Sequence, residues 1–202
     1  MSRLARRNPF ASTRMHSLPY RAPGFCIENI SIKFRELNRR AALVGMHGHG
    51  KSTLLEQITA LFRASGETIL RIQLREGDRR LDQNTRCELT EALGRYTLVI
   101  LDGAEQLSLW NWRRFLQSLP SETGCLITSH RPGRLPTLWR CETTLDLLLE
   151  LVEDLQGPVS SEQQALMAGL FASHRGDMRL CLRSLYDYYA DGIWTPIRDE
   201  MQ

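Results

Sequence analysis

The sequence predicts an α/β fold: a mostly parallel sheet in a three-layer sandwich, followed by a small C-terminal group of helices. Three observations carry this expectation. Short apolar runs of strand character alternate with helix-period runs from Arg40 to Leu155, the pattern of a sheet covered on both faces. After Pro158 the pattern changes to two helices with no strand between them. The segment Gly45-Met46-His47-Gly48-His49-Gly50-Lys51-Ser52 fits G-x-x-x-x-G-K-[ST] and stands between an apolar run and an amphipathic one.

Taken in order, strands are expected near 41–45, 68–74, 97–102 and 124–128, with a fifth near 138–143 and an entry strand near 25–34. The helix after the glycine loop carries Leu54, Leu55, Ile58, Leu61 and Phe62 at helical spacing and closes at Gly66. Thr85 with Glu88 reads as a capping box, and Ser108 precedes Leu109, Trp112, Leu116 and Leu119 on one helical face. A helix over 145–155 stops at Gly157-Pro158. In the tail, Ser160 or Ser161 starts a helix with Ala165, Leu166, Leu170 and Phe171, and Gly176-Asp177 opens another with Leu180, Cys181, Leu185 and Tyr188 or Tyr189. The domain boundaries follow: a basic N-terminal arm over 1–24, a core over 25–157 and a helical lid over 158–202.

Composition bounds the rest. A chain of 202 residues holds one α/β core and an appendage, and a net charge of +3 demands no nucleic-acid partner. Arg3, Arg6, Arg7, Arg14 and Arg21 precede the first acid, Glu28, so the arm reads first as solvated and second as an electrostatic contact for phosphate or an acidic partner. Prolines 9, 19 and 23 interrupt the amphipathic helix that an organelle presequence would need. No apolar run is long enough to span a bilayer, so a cytoplasmic protein is expected. Cys26, Cys87, Cys125, Cys141 and Cys181 form no C-x-x-C pair, and their odd number argues against a disulfide framework.

The glycine loop is where the chemistry concentrates. Gly45, Gly48 and Gly50 let backbone N–H groups turn inward, His47 and His49 offer their backbone to phosphate with side chains toward solvent, Thr53 follows in the same loop, and a helix N-terminus adds partial positive charge at the same point. Lys51 reaches the β and γ phosphates of a nucleotide such as ATP, and the Ser52 hydroxyl coordinates Mg²⁺. Of the 26 basic residues only Lys33 and Lys51 are lysine, so a compact ammonium stands here against the chain's habit of using arginine. A metal carboxylate ending a buried strand is also needed, and Leu98-Val99-Ile100-Leu101-Asp102 supplies Asp102. The following position, where a glutamate commonly orients attacking water, is Gly103. Glu105 is the nearest acid, either swinging toward the γ-phosphate or serving as a first-turn helix carboxylate. A strand lying between the loop strand and the aspartate strand would deliver Thr128 or Ser129 to the γ-phosphate or its water.

Together these segments resemble a P-loop ATPase of the AAA+ type over nearly the whole chain. GMHGHGKST resembles Walker A, LVILDGAEQL resembles Walker B, and LITSHR resembles the sensor 1 strand. The run Gly176-Asp177-Met178-Arg179 resembles the G-[DN]-x-R opening of the last lid helix, which implies sensor 2 for Arg179. Arg7-Asn8-Pro9-Phe10 resembles the linker that lies against adenine. The resemblance implies Mg-ATP bound between core and lid, slow hydrolysis, an unidentified protein partner and a homo-oligomer. Arg134 and Arg140 fall where a trans-acting arginine belongs, or are ordinary surface charge. A non-hydrolysing regulatory module is the alternative, supported by Gly103. A P-loop kinase with Arg131 and Arg134 as phosphoryl clamps is a third. An ABC-type ATPase is excluded because no LSGGQ signature occurs.

Overall fold

In a computed structural model that describes residues 8–15, 17–91 and 94–196, five strands form one sheet in the order β2-β3-β4-β1-β5, every pair parallel. They are β1 (Arg40–Val44), β2 (Ile69–Gln73), β3 (Leu98–Asp102), β4 (Gly124–Ser129) and β5 (Thr137–Arg140). Central strands of a parallel sheet are buried on both faces, and all six residues of β4 are buried. The edge strand β2 alternates instead, turning Leu70 and Ile72 inward and Arg71 and Gln73 outward. The α/β sandwich with an all-parallel sheet is therefore as the sequence predicts.

The helices in chain order are α1 (Ser12–Met15), α2 (Ile27–Glu36), α3 (Lys51–Ala64), α4 (Gln83–Glu91), α5 (Leu109–Ser118), α6 (Leu145–Gln156), α7 (Ser161–Ser173) and α8 (Met178–Ala190). The first correction falls at 25–34, where α2 replaces the expected strand. Ile30 and Phe34, four apart, share its buried stripe, while Ile32 between them is half exposed. Period four thus overrides the β-branched composition. Capping by Thr85 is the second correction: α4 begins two residues earlier, and the Asp82 carboxylate accepts from the Thr85 N–H at 2.7 Å. Ser108, Ser160 and Asp177 cap as expected, and Ser160 completes a capping box with Gln163.

The chain divides into two units. One runs over 24–46 and 54–141 and holds the sheet. Ala42, Val44, Leu70, Ile72, Val99, Leu101, Cys125 and Ile127 line one sheet face and pack with Leu89 of α4 and Trp112 and Phe115 of α5. The alternate residues Ala41, Leu43, Leu98, Ile100 and Leu126 are equally buried and face the other side, where α2 and α3 contribute Ile30, Phe34, Leu55 and Phe62. Phe34 and Phe62 meet with ring centroids 5.1 Å apart. At the strand starts Arg39 lays a bidentate fork on Glu67, at 2.7 and 2.9 Å, and also donates to the Thr97 carbonyl at 2.8 Å. The lead-ins to β1, β2 and β3 are thereby tied to one guanidinium.

The other unit gathers the described residues up to Pro23, residues 47–53 and the described residues from Glu142 onward. Leu148 and Val152 of α6, Met167 of α7, and Cys181 and Leu185 of α8 form its core, together with Phe10 and Trp194. Helix α6, read from the sequence as part of the core domain, groups here with the C-terminal helices. The described part of the arm is solvated only in part: Ser12, Thr13 and Arg14 are exposed, whereas Asn8 and Phe10 are essentially inaccessible. Asn8 Nδ2 donates to the Tyr186 carbonyl at 2.9 Å, Phe10 packs edge-on against Trp194 at 5.8 Å, and Arg21 pairs with Asp154 at 2.7 Å. Asn8 and Phe10, which the resemblance sets against adenine, are packed into this helical core. Arg3, Arg6 and Arg7 lie outside the described residues. No helix among the described residues is long and apolar enough to cross a membrane.

Candidate functional site

In the sheet unit the chemistry collects where β3 and β4 end. Strand β4 pairs with both β1 and β3, so its last residues lie between the loop strand and the aspartate strand. The Thr128 hydroxyl donates to Asp102 Oδ1 at 2.6 Å and accepts from the Gly103 N–H at 2.8 Å. The other carboxylate oxygen of Asp102 accepts from Arg71 at 3.3 Å. Two partners therefore fix its orientation, and each oxygen keeps a lone pair for further coordination. Ser129 takes a different course from the expected phosphate contact: its hydroxyl closes a turn by donating to the Arg131 carbonyl at 2.8 Å.

After Asp102 the chain turns sharply. Gly103 is left-handed, with φ at +86°, and leads into a single 3₁₀ turn over Ala104–Gln106. That turn brings Glu105 Oε1 to 3.2 Å from His130 Nε2, while Oε2 is buried with no hydrogen-bond partner. Arg134 closes the same corner, donating to the Leu107 carbonyl at 2.6 Å and lying 5.2 Å over the Trp112 ring. Burial draws its guanidinium below the ordinary value, and the Glu105 charge opposes that shift. Arg134 is half-buried and engaged within its own chain, and Arg140 is exposed.

In the other unit the loop is shaped by glycine. Gly48 and Gly50 have φ of +71° and +79°, and Lys51 begins α3 directly after them. Close approach explains both positions. A Cβ on Gly48 would lie 1.9 Å from an Asp177 carboxylate oxygen, and one on Gly50 would lie 3.0 Å from the Tyr20 ring. His49 Nε2 comes to 3.8 Å from the corresponding point on Gly176, whose carbonyl accepts from Thr143 Oγ1 at 2.7 Å. His47, Ser52, Thr53 and Arg179 are exposed, and Lys51 is half-buried. Gly45, in the sheet unit, donates its N–H to the Ser129 carbonyl, and a Cβ there would stand 2.6 Å from the Cys141 carbonyl.

The chain shares its fold with a solved structure. It superimposes on Cdc6p from Pyrobaculum aerophilum with a TM-score of 0.60 at 17% identity, covering 91% of this chain and 66% of that one. It therefore spans just under two thirds of that neighbour's length. A structure described as a DNA replication initiation factor matches more weakly, at a TM-score of 0.45 and 12% identity over 82% of this chain and 69% of that one. No protein-family model and no curated protein matches the sequence.

Three residues at these two places were missed in the sequence. Arg71 is an outward-facing residue of an edge strand, and only the parallel register that sets Gln73 beside Asp102 brings it to the carboxylate. Tyr20 lies in a segment without periodicity. Asp177 was legible as a helix cap but not as a neighbour of Gly48, since 129 positions separate them in sequence (177 − 48).

Proposed function

We propose that this chain is an Mg-ATP-binding switch of the AAA+ type that turns over slowly and uses its nucleotide state to govern association with another protein. One observation carries the reading: two left-handed glycines stand immediately before Lys51, the first residue of an amphipathic helix, with Ser52 and Thr53 presented to solvent. Backbone amides turned inward at a helix N-terminus are a phosphate cradle. Lys51 is assigned to the β and γ phosphates, and Ser52 with Asp102 to the metal. Magnesium would neutralise phosphate charge there. Thr128 holds the carboxylate of Asp102 in place, and Arg179 is assigned to the γ-phosphate. The fold shared with Cdc6p supports the reading at the level of architecture.

A second reading, a nucleotide-binding module that does not turn over, is favoured by the corner beyond Asp102. Gly103 carries no carboxylate, and Glu105 is directed to His130. Titration of a fluorescent ATP analogue with magnesium, on wild type and Lys51→Ala, tests binding: wild type saturates and the variant does not. If neither associates with nucleotide, both readings fail. Single-turnover phosphate release on wild type, Lys51→Ala and Glu105→Gln then separates them. Release above the Lys51→Ala level identifies the slow ATPase, and release equal to it identifies the module. A mass measurement with a non-hydrolysable analogue reads nucleotide-dependent homo-oligomerisation.

A further inference from the structure

The outer face of α5 presents an arrangement that the phosphate chemistry leaves unused. The helix is amphipathic, with Trp112 and Phe115 packed into the sheet core, so its opposite side is fixed toward solvent. On that side Leu109 is 73% exposed and Trp110 65% exposed. Arg114, one helical turn beyond Trp110, places its guanidinium carbon 5.4 Å from the indole centroid, and Arg113 is exposed beside it. A second pair of arginines is brought to the same place by backbone bonding. The Arg79 carbonyl accepts from the Ser108 N–H at 3.2 Å and from Asn111 Nδ2 at 2.8 Å, which pins exposed Arg79 and Arg80 beside the first turn of α5.

The acids of this region do not cancel that charge. Helix α5 contains none. The adjoining 75–82 segment carries Glu76, Asp78 and Asp82 against Arg75, Arg79 and Arg80, so it is balanced in itself and the excess positive charge comes from Arg113 and Arg114 of α5. Arg114 therefore covers one face of an exposed indole, with exposed Arg113 next to it in the helix and the backbone of Arg79 at the helix's first turn.

We infer that the outer face of α5 with the Arg79–Arg80 segment is a binding surface for single-stranded nucleic acid, in which a base stacks on Trp110 and the flanking guanidiniums hold the phosphates. Stacking on an aromatic ring tolerates any base, and the arginine fork matches phosphate geometry. An acidic peptide would satisfy the arginines but offers Trp110 no π-face. A duplex would hide the base faces within its own stack. The surface lies wholly in the sheet unit and needs no bound nucleotide, so it goes beyond the switch proposed above and stands or falls separately.

Fluorescence anisotropy on the full chain, without ATP, tests the inference with a labelled oligothymidylate of about 15 nucleotides and a matching oligouridylate. The expected result is saturable binding whose logarithm falls linearly with the logarithm of salt, by about 0.7 per phosphate neutralised. Trp110→Ala should weaken it roughly tenfold or more, Trp110→Phe should retain most of it, and Arg113→Ala with Arg114→Ala should flatten the salt slope. Preference for one oligomer over the other names the source, DNA or RNA. Because these side chains are exposed, unchanged circular dichroism is expected for every variant. The inference is overturned if neither oligomer binds at low salt, or if Trp110→Ala binds as wild type does. It is overturned equally if a polyglutamate peptide binds with the same Trp110 dependence while the oligomers do not.

Discussion

At position 103 the chain needs a residue that turns left-handed, because φ is +86° and an added Cβ would meet the Leu74 carbonyl oxygen at 3.0 Å. A side chain there costs about 1–3 kcal/mol. Gly103→Glu, which places an acid directly after Asp102, is therefore expected to lower the unfolding free energy by that amount in urea denaturation without raising phosphate release. A faster enzyme of undiminished stability would show that the backbone here relaxes freely. The missing acid was plain in the sequence. Its cause was not, since it depends on the carbonyl of a residue that follows a neighbouring strand. Thr128 and Ser129 divide in the same way: a strand end rich in hydroxyls was legible, but which hydroxyl faces Asp102 is set by the alternation of β4 and by the turn that Ser129 closes.

Elements were read best where one period dominates. Strands β1, β3 and β4 are continuous apolar runs buried on both faces, and no helical stripe competes with them. Helix α2 was misread because Ile27, Ile30 and Ile32 suggest a strand until Ile30 and Phe34 are seen to share one buried side. The clamp before β1, β2 and β3 was invisible in sequence, since Arg39, Glu67 and Thr97 meet only through the parallel register. It has a pH signature. The Arg39 hydrogen bonds hold the Glu67 carboxyl below its ordinary 4.5, with Thr97 and the Arg39 charge acting in the same direction against burial. A carboxyl whose folded pKa is depressed adds stability above its unfolded value, and that stability is lost as pH falls from 4.5 through the folded value. Glu67→Gln should therefore lose stability at neutral pH and show a flatter acid limb than wild type. Parallel limbs in the two proteins would remove the clamp from the account. The arm yields a second prediction at this scale. Phe10→Ala empties a fully buried site against Trp194 and should cost about 3–5 kcal/mol, read by denaturation followed through tryptophan emission.

For the molecule as a whole, the proposed nucleotide binding at the glycine loop would couple ligand concentration to stability, because the loop exists only in the folded chain. At a concentration one hundred times the dissociation constant, Mg-ATP adds about 2.7 kcal/mol to the folded state. For a chain of 202 residues each kcal/mol moves the midpoint by roughly 2–4 °C, so a rise of about 5–10 °C is expected on saturation. The rise should vanish in Lys51→Ala, whose ammonium is removed from the phosphates, and should shrink when EDTA withdraws magnesium from wild type. Gly48→Ala adds a control of a different kind. Its methyl would stand on the Asp177 carboxylate at a left-handed position, so it should lower the midpoint without ligand as well as abolish the rise. The ligand-free midpoint of Lys51→Ala, which alters a half-buried residue at the first position of α3, is measured beside it as the folding control. Loss of the response in Lys51→Ala at an unaltered ligand-free midpoint assigns the response to phosphate binding. A rise that survives in Lys51→Ala would mean the nucleotide is held elsewhere on the chain, and the glycine loop would lose the role given to it.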